Sequence, residues 1–228
     1  KGVAAKRITT LATMTVSSSH GLAPCAARLA YPHSAQNVAE AGGLGVMGQG
    51  LNALALNAAG LAEMTGKGQV QLTHSTWAAD ILAEHLGAAT RAPWGGVMAV
   101  TGTWVDFGSV QGYDLAAGGG LVATNTIRPN AASLEAAWAW QRQNSPLSLG
   151  LGASLLRQSL DGESGSFAPA LEAGVKYSAP AGLSLASSLV NIGGSLDGSE
   201  LPTDLRIGLA WTAQSGIVTL GVELSDQS

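Results

Sequence analysis

The chain has 228 residues, of which 46% are hydrophobic and only 11% charged, with 31 glycines and a formal net charge of −4. A soluble protein carries roughly 25% charged residues, so this composition points away from an ordinary water-facing surface. No apolar run reaches the ~18 residues of a membrane-spanning helix, no basic patch invites nucleic acid, and the single cysteine, Cys25, supports neither an intrachain disulfide framework nor a cysteine zinc cluster.

Residues 1–40 read as a leader or export signal: Lys1, Lys6 and Arg7 precede a short, Thr-rich apolar stretch, ITTLATMTV. Leu22-Ala23-Pro24-Cys25 has the outline of a lipoprotein acceptor, but proline before the cysteine fits it poorly. The text changes at residues 41–66, which contain GGLGVMGQGLNALALNAAGLA and form a Gly-rich segment of their own. Gly43, Gly45 and Gly48 mimic a nucleotide-binding glycine pattern, yet no strand precedes them and no βαβ unit follows.

Residues 67–228 read as strands. Nine are expected, near 67–74, 84–92, 96–107, 133–143, 147–158, 166–178, 182–191, 203–212 and 216–224. The signal is clearest around Asn144-Ser145-Pro146. Before this break Leu134, Ala136, Trp138 and Trp140 alternate with Glu135, Ala137, Ala139 and Gln141. After it Leu147, Leu149, Leu151, Ala153 and Leu155 alternate with Ser148, Gly150, Gly152 and Ser154. Period two over this length argues two strands, and the tight break argues a hairpin. The third strand is less regular, with Met98, Val100 and Trp104 against Thr101 and Thr103. Phe167, Leu171, Ala173, Val175 and Tyr177 oppose Ala170, Glu172, Gly174 and Lys176, and Val218, Leu220, Val222 and Leu224 oppose Thr219, Gly221 and Glu223.

One face of each strand is therefore greasy and the other small or polar. A soluble sandwich would bury the greasy face against a second sheet. A membrane barrel turns it to lipid and fills its interior with small and polar groups. Arms of about 11 residues match the length that crosses a bilayer at a tilt. Connections alternate in length: 75–83, 108–132, 159–165 and 192–202 are long, while 93–95, 144–146, 179–181 and 213–215 are short. Trp94, Trp140, Tyr177 and Trp211 sit by the short turns, and Trp77, Trp104, Phe107 and Phe167 toward the long loops. Two aromatic girdles of this kind mark the two membrane interfaces. The expected fold is all-β, an antiparallel transmembrane β-barrel. Nine is an odd count where bacterial barrels have even numbers, so the expected barrel is incomplete, with truncation favoured over a miscount or completion by other strands.

The run that ends in Asn57-Ala58-Ala59-Gly60, just before the first strand, is similar to a segment of the PorV/PorQ outer-membrane family. A related Asn-Pro-Ala stands in the lumen plug of FadL-type transporters; Ala58 occupies the place of that proline. The resemblance continues through LTHSTWAADILAEHLGAA (72–89), WVDFGSVQGYD (104–114), LVNIGGSL (189–196) and LPTDLRIGLAWT (201–212). It implies a FadL-like barrel in the bacterial outer membrane, with Asn57, Ala58, Ala59 and Gly60 as the plug motif.

Candidate chemistry is sparse. His74, Asp80, Glu84 and His85 surround one long loop, but their spacing matches no metal motif. His74, Ser75 and Asp80 do not make a hydrolytic set, because neighbouring strand residues point to opposite faces. The inward set Glu135, Glu172, Lys176, Asp204, Arg206 and Glu223 carries both signs and reads as a lumen polar network. The expectation is a non-enzymatic protein without cofactor or metal. Its partners would be outer-membrane lipid and other envelope or secreted proteins, not nucleic acid. The PorV/PorQ resemblance implies support of protein export or surface attachment. The FadL resemblance implies instead passive transport of a hydrophobic small molecule.

Overall fold

In the computed structural model residues 45–77, 81–116, 119–160, 165–196, 198–213 and 219–227 are described. The expected leader at 1–40, Cys25, residues 41–44 and Asp80 lie outside them. A one-turn helix α1 (Leu51–Leu54) and a 3-10 helix (Ala58–Glu63) precede the strands. Then come β1 (Gly68–Thr76), β2 (Leu82–Arg91), β3 (Val97–Asp106), β4 (Val110–Leu115), β5 (Leu121–Ile127) and β6 (Asn130–Gln141). β7 (Leu147–Ser159), β8 (Ser166–Ser178), β9 (Leu183–Ile192), β10 (Ser195–Leu196), β11 (Ser199–Glu200), β12 (Asp204–Thr212) and β13 (Thr219–Gln227) follow.

Nine of these strands form one antiparallel sheet in the order β1-β2-β3-β6-β7-β8-β9-β12-β13, so each main strand lies beside the next in the chain. The period-two pattern fixes the register, because a one-residue slip would turn every apolar side chain to the wrong face. Leu134 faces Leu155, Ala136 faces Ala153 and Trp138 faces Leu151 across β6 and β7. The short turns have a local cause. Gly95 and Gly96 after Pro93-Trp94, and Gly182 after Pro180-Ala181, take positive φ, and the Gly182 amide bonds back to Ala179 O. This is the hairpin geometry in which a left-handed residue lets the strand return.

Two of the long connections carry strands of their own. Within 108–132, β4 and β5 form a separate hairpin, and within 192–202, β10 and β11 form a small one. The two differ in what they cover. Leu196 of β10 and Leu201 fold back onto Leu156, Ala168 and Ala170 as a small buried cluster. The β4–β5 hairpin stays exposed on both faces.

The sheet is strongly curved, and residues 45–64 lie in its hollow. The amide of Leu51 donates to Gln69 Oε1 on β1, and the amide of Gly45 donates to Glu223 Oε2 on β13. Nine flat strands would hold those edges about 38 Å apart. Six fully extended residues reach only about 21 Å, and residues 45–47 form a turn. Both edges therefore bend round to the same short segment. The edges themselves do not pair with each other among the described residues, so the sheet is open there.

Burial divides the two faces sharply. Leu149, Leu151, Val175, Leu205, Ile207 and Leu220 are exposed on the convex side. Ala99, Ala137, Ala139, Ala170, Ala186 and Ala210 are buried on the concave side with Thr101, Thr103, Ser148 and Ser188. Leu51, Leu54, Ala58, Leu61 and Met64 pack against Ala89, Val97, Ala99, Ala137 and Ala139, so the apolar core is made by the inserted segment rather than by a second sheet. Trp94, Trp140, Tyr177 and Trp211 are exposed by the short turns, and Trp77, Trp104 and Phe167 by the long connections. Phe107 departs from the expected girdle: it lies on the concave side against Ala83, Val105 and Ala131.

Candidate functional site

The inserted segment and the strands under it meet in a polar junction. Asn57 opens the 3-10 helix in extended conformation, and its side-chain oxygen accepts from the Ala59 amide at 2.9 Å. This is the usual reason for asparagine at a helix start. Its Nδ2 donates to Val175 O on β8 and Ser187 O on β9, each at 3.3 Å. One buried side chain thus satisfies both the cap and two facing strands. Ser188 Oγ adds a bond to Leu56 O at 2.7 Å.

Ala58, Ala59 and Gly60 follow, all buried. Their backbone approaches the sheet so closely that only glycine fits beneath. A Cβ at Gly150 would run into the backbone of Ala58 and Ala59, and one at Gly174 into Asn57 Oδ1. Gly152, on the same face, makes room for the Glu172 side chain instead. Gly60 itself lies against Ala53 and Gly48 within the segment. The four residues of the expected plug motif are therefore together, at the floor of the hollow.

The charged residues fall into two groups. Lys176 Nζ donates to Glu63 Oε2 at 2.7 Å and to Gly48 O at 3.0 Å, and Ser178 Oγ donates to Glu63 Oε1 at 2.7 Å. Asp204, Arg206 and Glu223 form the second group. Arg206 Nε reaches Asp204 Oδ2 at 2.7 Å, and its Nη1 lies 3.6 Å from Glu223 Oε1. Glu223 then accepts from Gly45. Glu135 and Glu172 are also buried on the concave face, further along the strands. Near them His85 Nδ1 lies 2.9 Å from Thr103 Oγ1.

Glu63, Ser178, Ser188 and Gln69 are not among the residues the sequence pattern singles out, and His85 is singled out there only with the loop cluster. Glu63 had a signal: it is the one charged residue between 44 and 66. His74 and His85 are separated by the sheet, His74 exposed with Glu84 at 2.7 Å and His85 buried with Thr103. Ser75 pairs across the strands with Ala83 while His74 pairs with Glu84, which puts serine and histidine on opposite faces. Among the described residues no three His, Cys, Asp or Glu side chains come together as a metal site. The arrangement is one of groups holding each other: strand carbonyls, carboxylates and ammonium are matched to partners on the inserted segment.

No family model, curated protein or solved structure matches the chain.

Proposed function

We propose that this chain supplies the wall and the plug of a bacterial outer-membrane β-barrel, with a non-enzymatic role in protein export or surface attachment, as its resemblance to the PorV/PorQ family implies. The observation that carries the barrel reading is the inverted partition of the sheet. Large apolar side chains stand exposed along the convex face, from Val70 and Leu72 on β1 to Leu220, Val222 and Leu224 on β13. The buried concave face holds alanines, serines, threonines and paired charges. In water a contiguous apolar surface of this extent is a strong liability. In lipid it is what a strand wall requires.

Other features agree. The nine main strands are 9–13 residues long, enough to cross at a tilt. No helix among the described residues is long and apolar enough to cross a membrane, a fact that leaves spanning strands untouched. Residues 45–64 act as the plug, tied to both edges of the wall.

Export or attachment is favoured over passage of a hydrophobic molecule by how the two surfaces are used. A channel for such a molecule needs an apolar lining with a few placed polar groups. Here the described hollow is occupied by the plug, and the wall beneath it offers Gly, Ala, Ser, Glu and Lys. The β4–β5 hairpin, in contrast, stands clear, with Tyr113, Leu115, Leu121 and Val122 exposed. Function concentrates on such projecting loops. The test is expression in a Gram-negative outer membrane, with and without residues 110–127. The proposal expects recovery in the outer-membrane fraction in both cases, and envelope or secreted proteins that co-purify only with the intact hairpin. Stoichiometric binding of a long-chain fatty acid, unaffected by the deletion, would move the assignment to a FadL-like transporter.

A further inference from the structure

The convex face is not uniform. Between Trp94 at the β2–β3 turn and the Ala136–Ala153 pair of β6 and β7 lies an apolar groove of about 480 Å³. Two alanines make its floor because the rows on either side carry bulk, Leu134 facing Leu155 and Trp138 facing Leu151. Val100 and Met98 of β3 close one flank. Trp138 does not offer its donor to the groove, since its indole N–H is spent on Gly95 O at 3.1 Å. It presents only its ring.

We propose that this groove is a binding site for one phospholipid, with an acyl chain over Ala136 and Ala153 and the phosphate at Arg142. This rests on the membrane reading of the convex face. Three observations select that occupant. The volume lies in the range of small-molecule sites, and no lining residue carries a charge, so a sugar or an extended peptide would lose hydrogen bonds there without replacement. The flanking rows stand four residues apart along the strand, or about 13 Å between backbones. Their side chains narrow that gap below the 10–12 Å width of a helix, whereas a hydrocarbon chain fits. The third is charge. The strand registers bring segments 64–67, 91–97 and 141–147 to one end of the sheet, the end at which Trp94 borders the groove. These segments hold Lys67, Arg91 and Arg142 and no carboxylate, in a chain of net charge −4. Arg91 is bound to Gly66 O and Met64 O. Arg142 is exposed and its guanidinium has no partner among the described residues.

The test uses the full chain, purified in mild detergent and offered phosphatidylglycerol or phosphatidylcholine. Native mass spectrometry counts retained lipid, and vesicle flotation reports membrane association. The proposal expects one retained phospholipid per chain, phosphatidylglycerol held better than phosphatidylcholine. Ala153→Trp should reduce occupancy about tenfold (~1.4 kcal/mol), with flotation unchanged. Ala136→Val, a smaller filling, should reduce it in part, and Arg142→Gln should erase the headgroup preference while leaving some lipid bound. Leu220→Trp, which adds bulk elsewhere on the same face, should change nothing. Flotation without retained lipid, or retention indifferent to both alanine variants, would overturn the groove and spare the membrane reading. A protein displaced by Ala153→Trp in place of lipid would overturn the choice of occupant. Failure to float at all would defeat the membrane reading, and the groove with it.

Discussion

Lys176 Nζ and Glu63 Oε2 meet at 2.7 Å across the boundary between the sheet and the inserted segment, with side-chain exposures of 3% and 14%. Two enclosed charges stabilise little as a pair, because each has given up its water. Removing one partner is far more damaging, since it strands the other. Lys176→Met is therefore expected to cost about 3–5 kcal/mol in denaturant unfolding from detergent. Lys176→Met combined with Glu63→Leu should lose clearly less than the single change. Equal losses would mean that the two charges are not coupled.

The junction at Asn57 predicts an ordering of variants. Asn57→Ala removes the bonds to Val175 O and Ser187 O and the cap on Ala59, for about 1–3 kcal/mol. Asn57→Asp keeps an acceptor for Ala59 but turns a carboxylate toward two carbonyls. Aspartate should be the worse of the two, read as faster proteolysis within 45–64. A milder effect of aspartate would show that the strand carbonyls matter less than the cap.

Ala58 is the first residue of the 3-10 helix, where an amide is spare and proline is preorganised. Asn57 before it is already extended, at φ −159° and ψ 106°, as a residue preceding proline must be. Ala58→Pro is expected to be neutral or to stabilise by up to about 1 kcal/mol. A loss of more than that would mean that the sheet at Gly150 leaves no room for the ring.

Two glycines on opposite faces give a paired comparison. Gly150→Ala drives a methyl into the Ala58–Ala59 backbone and should cost about 1–3 kcal/mol. Gly102→Ala meets only Ser133 O at 3.9 Å and should be tolerated. Thermal midpoints in one detergent decide it.

Ile207 is 54% exposed on the convex face, away from the groove. If that face meets lipid, Ile207→Arg costs about 2–4 kcal/mol near mid-membrane. If it meets water, the change is close to neutral. Refolding yield into bilayers of defined thickness measures the difference.

The main strands were legible because each has one face to hide and one to show. Leu149-Gly150-Leu151-Gly152 and Val175-Lys176-Tyr177 carry that contrast residue by residue. The β4–β5 hairpin has no such contrast. VQGYDL and LVATNTI are exposed on both sides, so nothing imposes period two on their composition, and the intervening Gly118-Gly119-Gly120 reads as loop. The polar junction was half visible. Alternation alone turns Lys176, Arg206 and Glu223 inward. It says nothing about Glu63, whose partner lies 113 residues away, nor about Gly45, whose acceptor lies 178 away. Pairings of that range depend on how the wall curves, and curvature leaves no period in the chain.

Those separations also set an order of events in folding. Each main strand pairs with the next, so the wall can zip from one end by closing short loops. The bonds from Asn57 close loops of 118 and 130 residues, and the bond from Gly45 to Glu223 one of 178. Their entropic cost is met only once the strands between are already in register. By this loop-closure argument the inserted segment would be the last to find its place, locking a sheet whose strands are already in register. Interactions absent from the rate-limiting step slow unfolding without hastening assembly. The inserted segment would then act as a kinetic clasp, decisive for how long the fold lasts and nearly silent in how fast it forms.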